Sequence, residues 1–185
     1  MVIVNKRKFY SKITIFILLI LVVFLSVTPI KKAIYPLRYE DIIVKYSNEY
    51  QLDPYLVMAI ISAESRFEEN ANSHKDAMGL MQVTEQTAKW CVDRFELDIS
   101  SENLYNPDTN IHIGCAYMDF LIDVFDGELQ TAIAAYNAGQ GNVKKWLADK
   151  TYSSDGKTLS DIPFEETKNY VEKVMKRYET YKQLY

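Results

Sequence analysis

Hydrophobic positions follow two rules along this chain, and the rule changes near residue 31. Between residues 13 and 30 there is no charge at all, and Lys6, Arg7, Lys8 and Lys12 stand just before the run. Such a stretch is about the shortest that spans a bilayer as a helix. Beyond it, apolar residues recur at three- and four-residue spacing, the period of amphipathic helices. Residues 39–50 carry Ile42, Ile43 and Tyr46 on one side. Asp53-Pro54, an N-cap followed by proline at the first helical position, opens a second helix whose apolar stretch over 56–61 predicts burial. Thr84 caps a third helix reaching 95. Asn106-Pro107 repeats the start signal and opens a helix over 108–125. Its polar residues His112, Asp119, Asp123 and Asp126 form one narrow stripe, so nearly the whole circumference must be covered, and it is the expected core helix.

Shorter helices are predicted over 128–136 and, capped by Asn142, over 142–147. Pro163 starts a last helix with Val171, Val174, Met175, Tyr178 and Tyr181 as its inner stripe. Residues 67–78 are polar and small, read as loop, and are punctuated by Gly79. Asp155-Gly156 is a two-residue hairpin signal within 152–159, a pattern that a loose loop shares. The pattern predicts a mainly α domain of about seven helices with at most one small β-hairpin, preceded by one transmembrane helix.

That divides the chain into a basic cytoplasmic tail (1–12), a signal anchor (13–30), a linker (31–37) and a domain (38–185). The competing reading of the apolar run is a cleaved signal peptide. The small-residue cleavage pattern is missing and Pro29 occupies the exit, which favours an uncleaved anchor. Four basic residues precede the run, against Lys31, Lys32 and Arg38 just after it. This bias places the N-terminus in the cytoplasm and the domain outside.

Charge then narrows the partners. All 25 acidic residues, but only 17 of the 21 basic ones, follow position 30, leaving the outer domain at −8. An acidic domain without a basic block is not built for nucleic acid. Cys91 and Cys115 fall on different predicted helices, and either an extracellular disulfide or two packed thiols fits that placement. With no CxxC, no HExxH, no Asp-rich loop and only His74 and His112, neither a metal nor another cofactor is expected. His112 reads as a rim residue of its helix.

One residue breaks the hydrophobic pattern. Glu64 shares a helical face with Ile61, Ile60 and Val57. A carboxylate on an apolar face is costly to desolvate, so burial should push its pKa up. The negative end of the helix dipole should push it further if the helix stops near Phe67. Arg66, two positions on, faces away. These features suggest a protonated carboxyl held ready as a general acid. The plain alternative is a glutamate that ends a helix and pairs with a surface base.

Downstream, further pieces stand in register with Glu64-Ser65: Ser73, Gly79-Leu80-Met81-Gln82, Ala135-Tyr136-Asn137-Ala138-Gly139, and Pro163-Phe164 followed by Glu166-Thr167 and Tyr170-Val171. Their order and spacing resemble the soluble lytic transglycosylase family, over roughly residues 38–180. The resemblance implies a lysozyme-like fold and an enzyme of the bacterial cell wall. Its substrate would be the β-1,4 bond between N-acetylmuramic acid and N-acetylglucosamine in peptidoglycan strands. Its product would carry a 1,6-anhydro ring on the muramic residue. Glu64 would be the sole acid and then the base, because the substrate's own N-acetyl group takes the place of a second carboxylate.

By the same resemblance, Ser73 hydrogen-bonds near that carboxyl and Met81 and Gln82 line the floor of the sugar cleft. Tyr136 and Asn137 contact the sugar and steady the glutamate, and Glu166 and Tyr170 close the cleft. Met81 could equally be core packing. Asp76 departs from the family pattern: it reads as a solvated loop charge, or, if it reached the site, as the second carboxylate of a hydrolase. The alternatives to a lytic transglycosylase are therefore a water-using muramidase and an inactive glycan-binding scaffold.

Overall fold

The structure is a computed structural model that describes Tyr10, Ile15, Phe16, Leu18 and residues 28–99 and 103–185. It divides into two compact units, one up to Pro36 and one over Leu37–Gln183. In the first, residues 28–34 are helical. The expected tail (1–12) and membrane span (13–30) lie largely outside the described residues. Among the described residues no helix is long and apolar enough to cross a membrane.

Among its described residues the second unit contains seven helices and one two-stranded ribbon: α1 (Glu40–Glu49), α2 (Pro54–Glu64), β1 (Ala77–Met78), β2 (Val83–Thr84), α3 (Glu85–Phe95), α4 (Pro107–Val124), α5 (Leu129–Ala138), α6 (Gln140–Ala148) and α7 (Glu165–Leu184). Local chemistry explains most boundaries. The Asp53 carboxylate accepts from the Tyr55 amide at the start of α2, Thr84 Oγ1 accepts from the Thr87 amide, and Asn106 Oδ1 accepts from the Asp108 and Thr109 amides. Each satisfies a helix-end N–H that has no partner in its own helix.

The core helix is α4, which packs against α1, α3 and α5 and buries Ile111, Ile113, Gly114, Cys115, Met118 and Leu121. Both cysteines are buried free thiols, which settles the open choice in favour of packing. Burial raises the Cys91 pKa to about 12. His112 sits half-buried on α4, stacked on Tyr46 at 4.2 Å with Tyr50 Oη 2.8 Å from Nε2.

Three boundaries differ from expectation. The hairpin lies at 77–84, pairing Ala77 with Thr84 and Met78 with Val83 around the Gly79 turn. Residues 152–159 contain no strand: Asp155 accepts from the Lys157 and Thr158 amides, and Gly156 takes a φ of 74°. This is an aspartate-closed turn, for which the same dipeptide serves equally well. Asn142 lies inside α6, where its Nδ2 donates to the Ala138 carbonyl, because Gly139 with φ 82° turns the chain earlier. The last helix begins at Glu165, after Phe164 rather than at Pro163.

Candidate active site

The α2 helix delivers Glu64 as its final residue, on top of a face where Val57, Ile60 and Ile61 are wholly buried. Glu64 opens onto a cavity of about 340 Å³, also lined by Ser73, Lys75, Gln82, Tyr117, Tyr136, Asn137 and Glu166. Burial drives its pKa up to about 7. The Tyr170 hydroxyl and the Lys173 ammonium pull it down, and Glu166 adds a smaller upward push. Arg66 plays no part in this balance. At pH near 7 such a carboxyl is divided between acid and base forms, the condition for a group that must give a proton and then take one.

What holds Glu64 against the cavity is the next residue and a turn. Ser65 Oγ donates to the Leu80 carbonyl at 2.8 Å, with the Ile61 carbonyl 3.2 Å away. The turn itself is pinned group by group. The Met81 amide donates to Asn110 Oδ1 at 2.7 Å, and Asn110 Nδ2 donates to the Met78 and Leu104 carbonyls. Tyr136 Oη donates to the Met81 carbonyl at 2.9 Å. Gln82 Nε2 donates to the Gly79 carbonyl at 2.9 Å and to that of Ala71 at 3.2 Å. Glycine is required at position 79. Its φ is 74°, and a Cβ there would lie 2.3 Å from the Leu104 carbonyl oxygen and 2.4 Å from Asn110 Nδ2.

The structure brings most of the expected site residues together, though several act on each other rather than on the cavity. Ser73, Gln82, Tyr136, Asn137 and Glu166 line it. Ser73 Oγ is occupied in its own loop, accepting from the Lys75 and Ala77 amides. Tyr136 steadies the turn beneath Glu64. Asn137 Oδ1 accepts from the Thr167 hydroxyl at 2.7 Å, tying α5 to α7 and leaving its NH2 to offer to a ligand.

Met81 does not face the cavity. Its side chain is wholly buried against Gly114, where a Cβ would meet its sulfur. Tyr170 is buried beneath the site, and its hydroxyl has no hydrogen-bond partner of good geometry although it acts on Glu64. Glu166 is bound through both oxygens to Lys75 Nζ at 3.0 Å. Asp76 is exposed in a left-handed turn (φ 57°) and does not line the cavity. Among the described residues no group of three or more His, Cys, Asp or Glu could hold a metal ion.

Two contributors were not found by reading the sequence. Asn110 looks like an ordinary polar residue of a first helical turn, and only its complete burial shows that it clamps the turn. Lys173 donates to the Ala63 carbonyl at 2.9 Å, satisfying one of the open carbonyls at the end of α2 while lowering the pKa of Glu64. Its signal was the position three residues after Tyr170 on one helix face.

Comparison with known proteins gives a consistent result. Residues 41–159 match the family described as the transglycosylase SLT domain. The soluble lytic murein transglycosylase of Escherichia coli (strain K12) is 34% identical over 144 residues, covering 76% of this chain and 22% of that protein. The membrane-bound lytic murein transglycosylase C of Edwardsiella ictaluri is 34% identical over 122 residues, covering 57% of this chain and 32% of its own length. Among solved structures, an inactive mutant of the lytic transglycosylase Slt from Pseudomonas aeruginosa superposes with a TM-score of 0.72 at 33% identity. It covers 80% of this chain and 24% of the other. The 70 kDa soluble lytic transglycosylase in complex with bulgecin A gives 0.75 at 30% identity, covering 83% and 25%. The chain thus spans between about a fifth and a third of the length of these larger proteins.

Proposed function

Because the chain belongs to the transglycosylase SLT domain family, we propose that it is a peptidoglycan lytic transglycosylase with Glu64 as its only acid and base. The observation that carries this reading is a carboxyl of pKa about 7 with no usable second one among the described residues that line its cavity. Of the carboxylates lining the cavity, the other is Glu166, which is exposed and bound to Lys75. A two-carboxylate glycosidase needs its second carboxylate free, to act as nucleophile or to activate water.

In the proposed reaction, protonated Glu64 gives its proton to the oxygen between C1 of N-acetylmuramic acid and C4 of N-acetylglucosamine, and the C1–O bond breaks. The substrate's N-acetyl carbonyl stabilises the positive charge at C1. The Glu64 carboxylate then removes the proton of the C6 hydroxyl as O6 closes on C1, forming the 1,6-anhydro ring without adding water. Tyr170 and Lys173 stabilise the carboxylate between the two steps, while burial favours the acid before them. The Asn137 NH2 and the Gln82 side-chain carbonyl, both on the cavity wall, would hold the sugar.

Mass analysis of fragments released from purified sacculi tests this. Anhydro products are one water lighter than hydrolysed ones. Products of hydrolytic mass would mean a muramidase, and binding without any release would mean an inactive scaffold.

The N-terminal segment completes the proposal. Residues 13–30 anchor the protein in the cell membrane, 1–12 remain in the cytoplasm, and the short linker 31–37 keeps the domain at 38–185 outside, near the membrane face. Carbonate-resistant membrane association that is lost on deletion of 1–30 is the expected result. A deletion variant still held in the membrane fraction would overturn it.

A further inference from the structure

Lys75 carries a charge that the proposed chemistry leaves unused. It lines the Glu64 cavity beside His74, and among the described residues of that lining it is the one permanent cation. Lys173, the cation that acts on Glu64, is turned to the Ala63 carbonyl and does not line the cavity. We propose that Lys75 is a specificity-determining residue that binds a carboxylate of the glycan strand, the lactyl carboxylate of a muramic residue that has lost its peptide. This inference rests on the glycan-cleaving function proposed above.

The state of the ammonium is the first support. Glu166 takes it through both oxygens at 3.0 Å, so the lysine already reaches a carboxylate at the edge of the cavity. A lysine ammonium has three N–H groups to give. No third acceptor stands at Lys75 Nζ among the described residues, and 61% of the side chain is exposed. An ion pair this open to water is weak, and the ammonium is readily shared with a second carboxylate.

The second support is a fixed base under a mobile tip. Ser73 Oγ accepts from the Lys75 and Ala77 amides, and Thr167, next to Glu166, donates its hydroxyl to Asn137 Oδ1. Both backbones are therefore held, and meeting a strand requires only side-chain torsions of Lys75.

Charge is the third. After position 30 there are 17 basic residues against 25 acidic ones, and both carboxylates of the cavity lining, Glu64 and Glu166, add to that excess. An anionic strand is repelled by such a surface unless a cation meets its charge. Muramic acid differs from glucosamine by a lactyl ether on O3. Its carboxyl is an amide while the peptide is attached, and a free anion once the peptide is removed. That group enters the cavity with the ring that bears it, whereas the carboxylates of a stem peptide lie further out along the stem. Ser73, Gln82 and Asn137, the polar neighbours in the lining, are neutral and offer nothing to balance a charge.

The test is the Kd of the Glu64→Gln protein, by calorimetry, for three strands of equal length. One is stripped by an amidase and has free lactyl carboxylates, one is the same strand with those groups converted to N-methylamides, and one keeps its peptides. The stripped strand should bind about two- to fivefold tighter than the methylamide, the size of one exposed charge pair, and added salt should erase the difference. Adding Lys75→Met should abolish this ratio, and Lys75→Arg should retain it. Glu166→Gln should widen it, because the competing carboxylate is gone. That last sign separates recognition from a staple, since a purely structural pair is broken equally from either side.

An unchanged ratio in Lys75→Met, or a ratio that Glu166→Gln narrows as Lys75→Met does, would overturn the assignment. So would a dependence on Lys75 confined to peptide-bearing strands, which would give the lysine to a stem carboxylate. Absence of binding to all three strands would overturn it as well. The ratio is read without turnover, so the proposed function fails separately: a parent protein that releases no anhydro product while the ratio holds loses the reaction and keeps the lysine's role.

Discussion

Around Gly79–Gln82, side chains from four places in the chain bond to main-chain groups: Ser65 after α2, Asn110 in α4, Tyr136 in α5 and Gln82 in the turn itself. Across the same cavity, Lys75 and Glu166 meet at 3.0 Å with 61% and 68% of their side-chain surfaces still exposed. The floor is made of buried hydrogen bonds, where a lost partner costs ~1–3 kcal/mol per stranded group. The mouth is held by a surface ion pair, worth about 0–1 kcal/mol. In the proposed function the carboxyl needs a fixed position, and a glycan strand needs a way in. The two kinds of bonding divide those tasks.

The largest expected effect tests the floor's purpose. Glu64→Gln should lower turnover by at least ~10²–10⁴, with the glycan still bound, measured by product release and by co-sedimentation with sacculi. The same variant has a stability signature. The carboxyl's pKa rises from its ordinary 4.5 to about 7 on folding. Charging it therefore weakens the folded state, and stability is lost as pH rises from about 4.5 through about 7. Glu64→Gln escapes that loss, up to about 3 kcal/mol, so its Tm should exceed the parent's above pH 7 and converge with it near pH 4.5. Near-parental turnover in this variant would remove Glu64 from the mechanism.

Asn110→Ala comes next. It strands the Met81 amide and the Met78 and Leu104 carbonyls, and should cost about 3–5 kcal/mol in urea unfolding. A third effect concerns tuning. Lys173→Met removes a cation that lowers the Glu64 pKa. The alkaline limb of the kcat profile, where the acid form is lost, should move to higher pH. A limb moving the other way would mean that Lys173 acts on the fold and not through the carboxyl.

The smallest effect belongs to the mouth. Lys75→Ala should change stability by less than about 1 kcal/mol, with a visible salt dependence of substrate affinity. If it cost as much as Asn110→Ala, the contrast between floor and mouth would not hold.

Much of this was readable in one dimension. Asp53, Thr84 and Asn106 announced helix starts because capping is settled within three or four residues. Glu64 announced itself because the helical period put it on an apolar face. Asp155-Gly156 left hairpin and loop both open, because a dipeptide that can make a hairpin can also close a turn, and the structure takes the turn. Gly79 was visible only as punctuation. Its necessity comes from Leu104 and Asn110, which lie 25 and more residues away.

The sequence by itself determined the helices, the caps at Asp53, Thr84 and Asn106, and one carboxyl placed where water is scarce. These follow from short-range sterics and hydrogen bonding, which the next few residues control. Only the tertiary structure decided what surrounds that carboxyl. Met81 faces Gly114 and not the cleft, Tyr136 bonds to the turn, Glu166 is held by Lys75, and Lys173 reaches back to the end of α2. Desolvation and charge depend on every group within a few ångströms, whatever its place in the chain. A pKa of about 7 is therefore a property of the assembled domain.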